Sequence, residues 1–330
     1  MRLTLEEIRN IARGAVRVEE IEGRINFFRF SEEQEKMYAE HSENFLSKSF
    51  ATAGVRLEFI TSSRSIALEI YASTASSRTY FDHDIYVNGE LKYTLGGDTK
   101  NAPDGIAQLK GEYDLGEGEK TVKIYFPWSA NSRLASLELD DGASIVPVAH
   151  RLKMISFGDS ITHGYDAINP SLTYTSLVAD ALDAEMINKG IGREVFRPAL
   201  SAIRDSFDPD IITVAYGTNE WSLRTAEQFY NDSEAFYADL SRHYPKSKIF
   251  ALTPIWRGDL NTKTPMGAFE TVARQLERIA DALPNVTLID CIDFVPHEAK
   301  MFSPDVLHPN MLGFSYYAKG VIKAIKENVE

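Results

Sequence analysis

The stretch Lys153-Met154-Ile155-Ser156-Phe157-Gly158-Asp159-Ser160-Ile161-Thr162-His163-Gly164 decides the fold. An apolar run stops at Gly-Asp-Ser, as a strand covered on both faces does when it reaches its carboxyl end and turns. Toward the C-terminus the same unit of apolar strand, loop and amphipathic helix recurs. Further strands are read at EMINKGI (185–191), DIITVAYG (210–217), KIFALTP (248–254) and VTLIDC (286–291). Helices are read at 172–184, near 198–206, at 225–244 and at 269–283. The last, at 311–328, is apolar at Met311, Phe314, Ala318, Val321, Ile322 and Ile325, the spacing of one helical face. Alternation of this kind predicts an α/β unit with a doubly wound, parallel, five-stranded sheet, whose ligands bind at the carboxyl ends of the strands.

Upstream the periodicity changes. From about residue 15 to 148 apolar residues alternate or form short β-branched and aromatic runs: AVRVEEI (15–21), INFFRF (25–30), VRLEFI (55–60), SIALEIYA (65–72), DIYVNGELKYTL (84–95), KTVKIYF (120–126) and ASLELDD (135–141). Asn88-Gly89 accepts the positive φ values of a type I′ turn and marks a hairpin. A short polar helix is expected at residues 4–12. The reading is a jelly-roll-like antiparallel β-sandwich domain over 1–148, followed by the α/β domain over 149–330.

The 330 residues carry 48 acidic and 35 basic side chains, a formal charge of −13, and no local basic patch. That field repels phosphate backbones and anionic lipid, which argues against nucleic-acid and membrane partners. No stretch approaches the roughly 18 apolar residues that cross a bilayer. The lone cysteine, Cys291, excludes an intramolecular disulfide and sits in an apolar strand as a small core residue. The first residues lack the apolar run of about 7 to 15 that forms a signal-peptide core, so a cytoplasmic address is expected. Glu138, Asp140 and Asp141 read as a solvated strand end and turn.

Four segments carry chemistry. Ser160 stands at the end of the first strand of the second half, in a turn that lets its own N–H face a developing oxyanion; alone, Gly-Asp-Ser is also an ordinary turn. It is not the G-x-S-x-G elbow, because Thr162 stands where the second glycine belongs. Asp305-Val306-Leu307-His308 precedes the last helix. A carboxylate three residues before an imidazole can reach Nδ1–H and present Nε2 as base to a serine hydroxyl. Asn219, after the third strand, can aim an amide at the same crevice. The turn Asn188-Lys189-Gly190-Ile191-Gly192-Arg193 offers backbone N–H groups. It is not a dinucleotide fingerprint, since Val195 replaces the third glycine and the turn follows the second strand.

GDS, a glycine turn, G-x-N and D-x-x-H-P, in this order on successive strand ends over about 154–330, resemble the SGNH, or GDSL, hydrolase superfamily. The resemblance implies a flavodoxin-like fold, with Ser160 as nucleophile, His308 as base and Asp305 as its orienting acid. The oxyanion would be held by the amides of Ser160 and of Gly192 or Arg193, and by the Asn219 side chain. Counting without a gap from Asn188 puts Arg193 at the family's glycine; a one-residue gap puts Gly192 there. The upstream sandwich resembles that of two-domain carbohydrate esterases.

Asp159, Tyr165, Trp221 and Trp256 are candidate pocket residues, with Phe196 and Arg197 weaker ones, while His163 is expected to face solvent. No paired Cys or His at ligand spacing and no H-E-x-x-H points to a metal, and no cofactor is implied. The reading is a serine esterase of short acyl groups, acetyl on carbohydrate foremost, acting on a small-molecule or oligosaccharide ester. Its alternatives are a lipase or thioesterase of the same superfamily and a carbohydrate-binding protein on a non-catalytic hydrolase scaffold. A homo-oligomer is compatible with it.

Overall fold

The computed structural model describes residues 1–329. The chain forms two compact units: Met1–His150 with Ile168–Ser171, and Arg151–Ala167 with Leu172 onward.

In the first unit two antiparallel sheets share one core. One sheet runs Ala12–Arg13, Arg56–Thr61, Lys120–Tyr125, Tyr80–Val87, Glu90–Asp98, with Ile145–Pro147 paired to Arg56–Thr61. The other runs Arg17–Ile21, Arg24–Phe28, Ala130–Leu139, Ser65–Thr74, Ile106–Asp114. Alternation sets the inward face: Ile66, Leu68 and Ile70 are buried in the same core as Leu57, Phe59, Val122 and Ile124. Asn88 (φ 52°) and Gly89 (φ 81°) both take positive φ, the I′ geometry expected of the hairpin.

Two helices, Glu32–His41 and Glu43–Ser49, interrupt what the sequence reading treated as strand and turn only. A capping box starts the first. Ser31 Oγ accepts from Gln34 N–H, and the Gln34 side chain accepts from Ser31 N–H. The strand Ile106–Asp114 also went unread, because none of its residues is buried and its alternation is mostly of polar types. Within this unit the Asp84 carboxylate accepts from Asn169 Nδ2, Ser171 N and Ser171 Oγ, which fixes Ile168–Ser171.

The second unit is built on β1 (Leu152–Gly158), β2 (Ala184–Gly190), β3 (Ile211–Ala215), β4 (Lys248–Leu252) and β5 (Val286–Ile289). All pairs are parallel and the order is β2-β1-β3-β4-β5, the doubly wound, flavodoxin-like arrangement. Its main helices are α1 (Tyr174–Leu182), α2 (Ala226–His243), α3 (Glu270–Ala282) and α4 (Met311–Val329). Both faces are covered, so Met154, Ile155, Ile212, Val214, Ile249 and Phe250 are all buried without alternation. Near 198–206 only Pro198–Ser201 is helical. Among the described residues no helix is long and apolar enough to cross a membrane.

Candidate active site

The register brings the carboxyl ends of three strands level: Gly158 of β1 lies beside Gly190 of β2 and Ala215 of β3. Ser160, Gly192-Arg193 and Asn219 therefore leave the sheet along one edge. Directly after β1, Asp159 caps a single helical turn, Ser160–His163, by accepting from Ile161 N–H over 2.9 Å. Ser160 is the first residue of that turn, so its own N–H has no intrahelical acceptor.

The Ser160 Oγ lies 2.8 Å from His308 Nε2, and His308 Nδ1 lies 2.5 Å from Asp305 Oδ2. A carboxylate only accepts, so Nδ1 carries the proton and Nε2 is left to accept from the serine hydroxyl. The loop holding these groups is closed on itself. Leu307 and His308 N–H donate to Asp305 Oδ1, Ser303 N–H donates to the His308 carbonyl, and Gly258 N–H donates to the carbonyl of Val306. Val306 is held at φ 52°, a strained value for a β-branched residue. Asn310 then caps α4, its Oδ1 accepting from Leu312 and Gly313 N–H. Partial burial raises the Asp305 carboxyl, but the bonds from His308 and the backbone outweigh it and hold the group below its ordinary value.

Across the edge, Asn219 Nδ2 donates to the Glu194 carbonyl over 2.9 Å, leaving its second amide hydrogen. Glu220 braces the same two segments. It is fully buried, and its two oxygens accept from Phe196 N–H (2.7 Å) and Gly217 N–H (2.9 Å). Burial pushes its carboxyl up to about 8 against those two bonds. Gly217 stands at φ 121°, where a Cβ would also meet Val272 at 2.6 Å, so this corner admits only glycine. Arg257 fixes Thr218 from behind. Its guanidinium donates to the Thr218 carbonyl and hydroxyl, and pairs with Asp259.

In the turn after β2, Gly192 N–H donates to His163 Nδ1, whereas Arg193 N–H has no acceptor among the described residues and Arg193 takes φ 71°. A Cβ on Gly192 would lie 2.4 Å from the Tyr165 hydroxyl, so glycine is what lets Tyr165 approach. Tyr165 in turn stacks on His308, with ring centroids 5.6 Å apart and an interplanar angle of 25°.

Several expectations are corrected. His163 does not face solvent; it is fully buried and accepts from Gly192. Trp221 has no face open to a pocket. It is fully buried against Phe269, its indole N–H donating to the Gly267 carbonyl, with Arg257 over its ring. Asp159 is buried, and desolvation lifts its carboxyl to about 6. Phe196 is core, and Arg197 is paired with the buried Glu194. Trp256, by contrast, does line a cavity, one of about 590 Å³, with Pro254, Phe269 and Leu288, and it is half-buried and stacked on His297. Asp166, Glu194, Glu220 and Arg257 went unread. Asp166 alone left a trace, an acidic residue six positions after Ser160, with no spacing rule to mark it.

A Ser-His-Asp chain thus stands at the carboxyl edge of a parallel, flavodoxin-like sheet. Residues 156–315 match the GDSL-like Lipase/Acylhydrolase family. No curated protein matches the chain. Among solved structures it is similar to SsfX3, a salicylyl-acyltransferase of a tetracycline biosynthetic pathway (21% identity, 96% of this chain and 94% of that one, TM-score 0.84). It is also similar to a family two carbohydrate esterase from Cellvibrio japonicus (16%, 99% and 97%, 0.69). A third is an acetyl xylan esterase from Butyrivibrio proteoclasticus (15%, 85% and 91%, 0.62). At these identities the likeness is one of fold, and it extends over both units.

Proposed function

We propose that the protein is a serine esterase that removes short acyl groups, acetyl foremost, from carbohydrate through an acyl-enzyme. The observation that carries the reading is the 2.8 Å approach of Ser160 Oγ to an imidazole whose other nitrogen is held by Asp305. As Oγ attacks the ester carbonyl, its proton passes to His308 Nε2. The carbonyl electron pair moves onto oxygen, held by the amides of Ser160 and Arg193 and the free hydrogen of Asn219. Collapse expels the alkoxide, which takes the proton back from Nε2, and water repeats the sequence on the acyl-enzyme. The carbohydrate esterases among the structural neighbours support the substrate class.

The resemblance to an acyltransferase supports a second reading, in which an alcohol replaces water in the deacylation step. Burst kinetics with p-nitrophenyl acetate test the first: Ser160→Ala is expected to abolish the burst and fluorophosphonate labelling, and retained turnover removes the nucleophile from its role. Acetate release from a panel of acetylated oligosaccharides, measured with and without an added alcohol acceptor, separates hydrolysis from transfer. A p-nitrophenyl ester series of increasing chain length separates both from a lipase.

A further inference from the structure

His308 Nδ1 faces two carboxylates. Asp305 Oδ2 lies at 2.5 Å, and Asp166 Oδ2, from the loop after the serine turn, lies at 3.8 Å. The ligand-type atoms of Asp166, Asp305 and His308 all fall within 4.8 Å of one another. The two acids differ in their surroundings: the Asp166 side chain is 11% exposed, close to the 12% of His308, while that of Asp305 is 40% exposed. The more distant carboxylate is thus the better shielded from solvent, and the charge it places on the ring is less screened. Asp166 also stands at φ 68°, a left-handed conformation that the surrounding structure must impose.

We propose that Asp166 is a second acid of the catalytic base, a positioning residue that works with Asp305 to hold the imidazolium formed when Ser160 attacks. The inference rests on the Ser160–His308 reading given above. Two carboxylates that face one imidazole nitrogen repel each other while the ring is neutral, and the attraction of both offsets that repulsion once the ring gains a proton. The stabilisation is therefore larger in the transition state than in the resting enzyme, which is the condition for an interaction to raise kcat. The other groups facing the ring are Ser160 at Nε2, Tyr165 stacked on it, and the buried Asp159, whose carboxyl His308 pulls downward. Among these only the carboxylates of Asp166 and Asp305 face Nδ1.

The test is a double-mutant cycle on the full-length protein with Asp166→Asn and Asp305→Asn, read as kcat/KM for p-nitrophenyl acetate across pH. Asparagine tolerates the left-handed backbone as aspartate does, so Asp166→Asn removes charge with little change of shape. Asp166→Gly, free of strain at the same φ, provides a second variant, and Asp166→Glu restores the charge. Asp166→Asn is expected to lower kcat about tenfold and to move the acidic limb of the profile to lower pH by about 0.5 or more, because removing a negative charge makes the imidazole easier to deprotonate. Asp166→Glu should restore the limb. The double variant should lose more than the product of the two single losses, because each acid covers in part for the other. If folded Asp166→Asn and Asp166→Gly keep kcat within twofold, or leave the acidic limb unmoved in both backgrounds, the second acid is refuted. If instead Ser160→Ala retains the burst, the nucleophile assignment falls and this inference falls with it, so the two failures are told apart.

Discussion

The Gly192 amide donates to Nδ1 of His163 over 3.1 Å, so of the two amides that could serve the proposed oxyanion hole this one is already engaged. His163 must then hold its proton on Nε2 and remain neutral. The next amide, that of Arg193, is open, and Arg193 adopts the φ of 71° that suits glycine far better than a branched or long side chain. The strain falls on the residue that ungapped counting from Asn188 aligns with the family's glycine. Arg193→Gly keeps the N–H and relieves the strain, so it should raise stability by about 0.5–1 kcal/mol and leave kcat within about threefold. Thermal denaturation and p-nitrophenyl acetate kinetics check both. A tenfold fall in kcat would mean that the guanidinium, and not the amide, does the work.

One amide hydrogen of Asn219 ties it to the Glu194 carbonyl, and the proposed mechanism assigns the other to the oxyanion. Asn219→Ala should lower kcat by about 10² to 10³, the effect of removing one oxyanion donor, with KM changed much less. A loss under twofold would refute the oxyanion role. Because Glu220 independently braces the same two segments through Phe196 and Gly217, the corner should survive the substitution, and circular dichroism of the variant should match that of the parent.

Much of this arrangement was legible in the sequence, for reasons that differ from part to part. The strands of the second unit announce themselves because burial on both faces forces runs such as Ile211–Tyr216 to be apolar at all positions but Thr213. The Asn88-Gly89 hairpin was readable because its conformation is demanded by two adjacent positive φ values. Asp305 and His308 were readable because their contact is local, three residues apart. What escaped was non-local. His163 looks like a loop residue until Gly192 is known to lie against it, and Trp221 looks like a pocket wall until Phe269 and Arg257 are placed around it. The helix Glu32–His41 escaped for another reason. It buries only Gln34 and Tyr38, so its apolar periodicity is too thin to read, although its capping box was in plain view.

In the first unit the buried Glu58 carboxylate pairs with Arg56 at 2.9 Å, Lys123 at 3.2 Å and His150 at 2.9 Å. Burial opposes its charge, but the bond from His150 and the charges of Arg56 and Lys123 prevail and hold the carboxyl well below the usual range. Glu58→Gln removes the charge paired with the 1%-exposed Arg56, so the expected loss is about 3–5 kcal/mol. Amide hydrogen exchange across Arg56–Thr61 is the measurement, since it reports this sheet alone. Exchange rates unchanged within twofold would show that the cluster contributes nothing to it.

Glu220 makes the opposite prediction. Its folded-state value, pushed by burial to about 8, lies above the ordinary 4.5 of the unfolded chain. Between those values the native protein holds a proton that the unfolded chain has released, so stability falls as pH rises, by about 1.4 kcal/mol per pH unit where the difference is one full proton. Below pH 4.5 both states are protonated and the group is neutral to stability; above about 8 the full penalty is present. Glu220→Gln cannot ionise and should lack this slope, although it will be less stable than the parent at acid pH, because an amide NH₂ must face one of the two N–H groups that the carboxyl now accepts. Denaturant midpoints of parent and variant at pH 5, 7 and 9 should therefore converge, or cross, as pH rises. A constant difference between them over that range would mean that Glu220 is ionised throughout, with the two backbone bonds outweighing its burial.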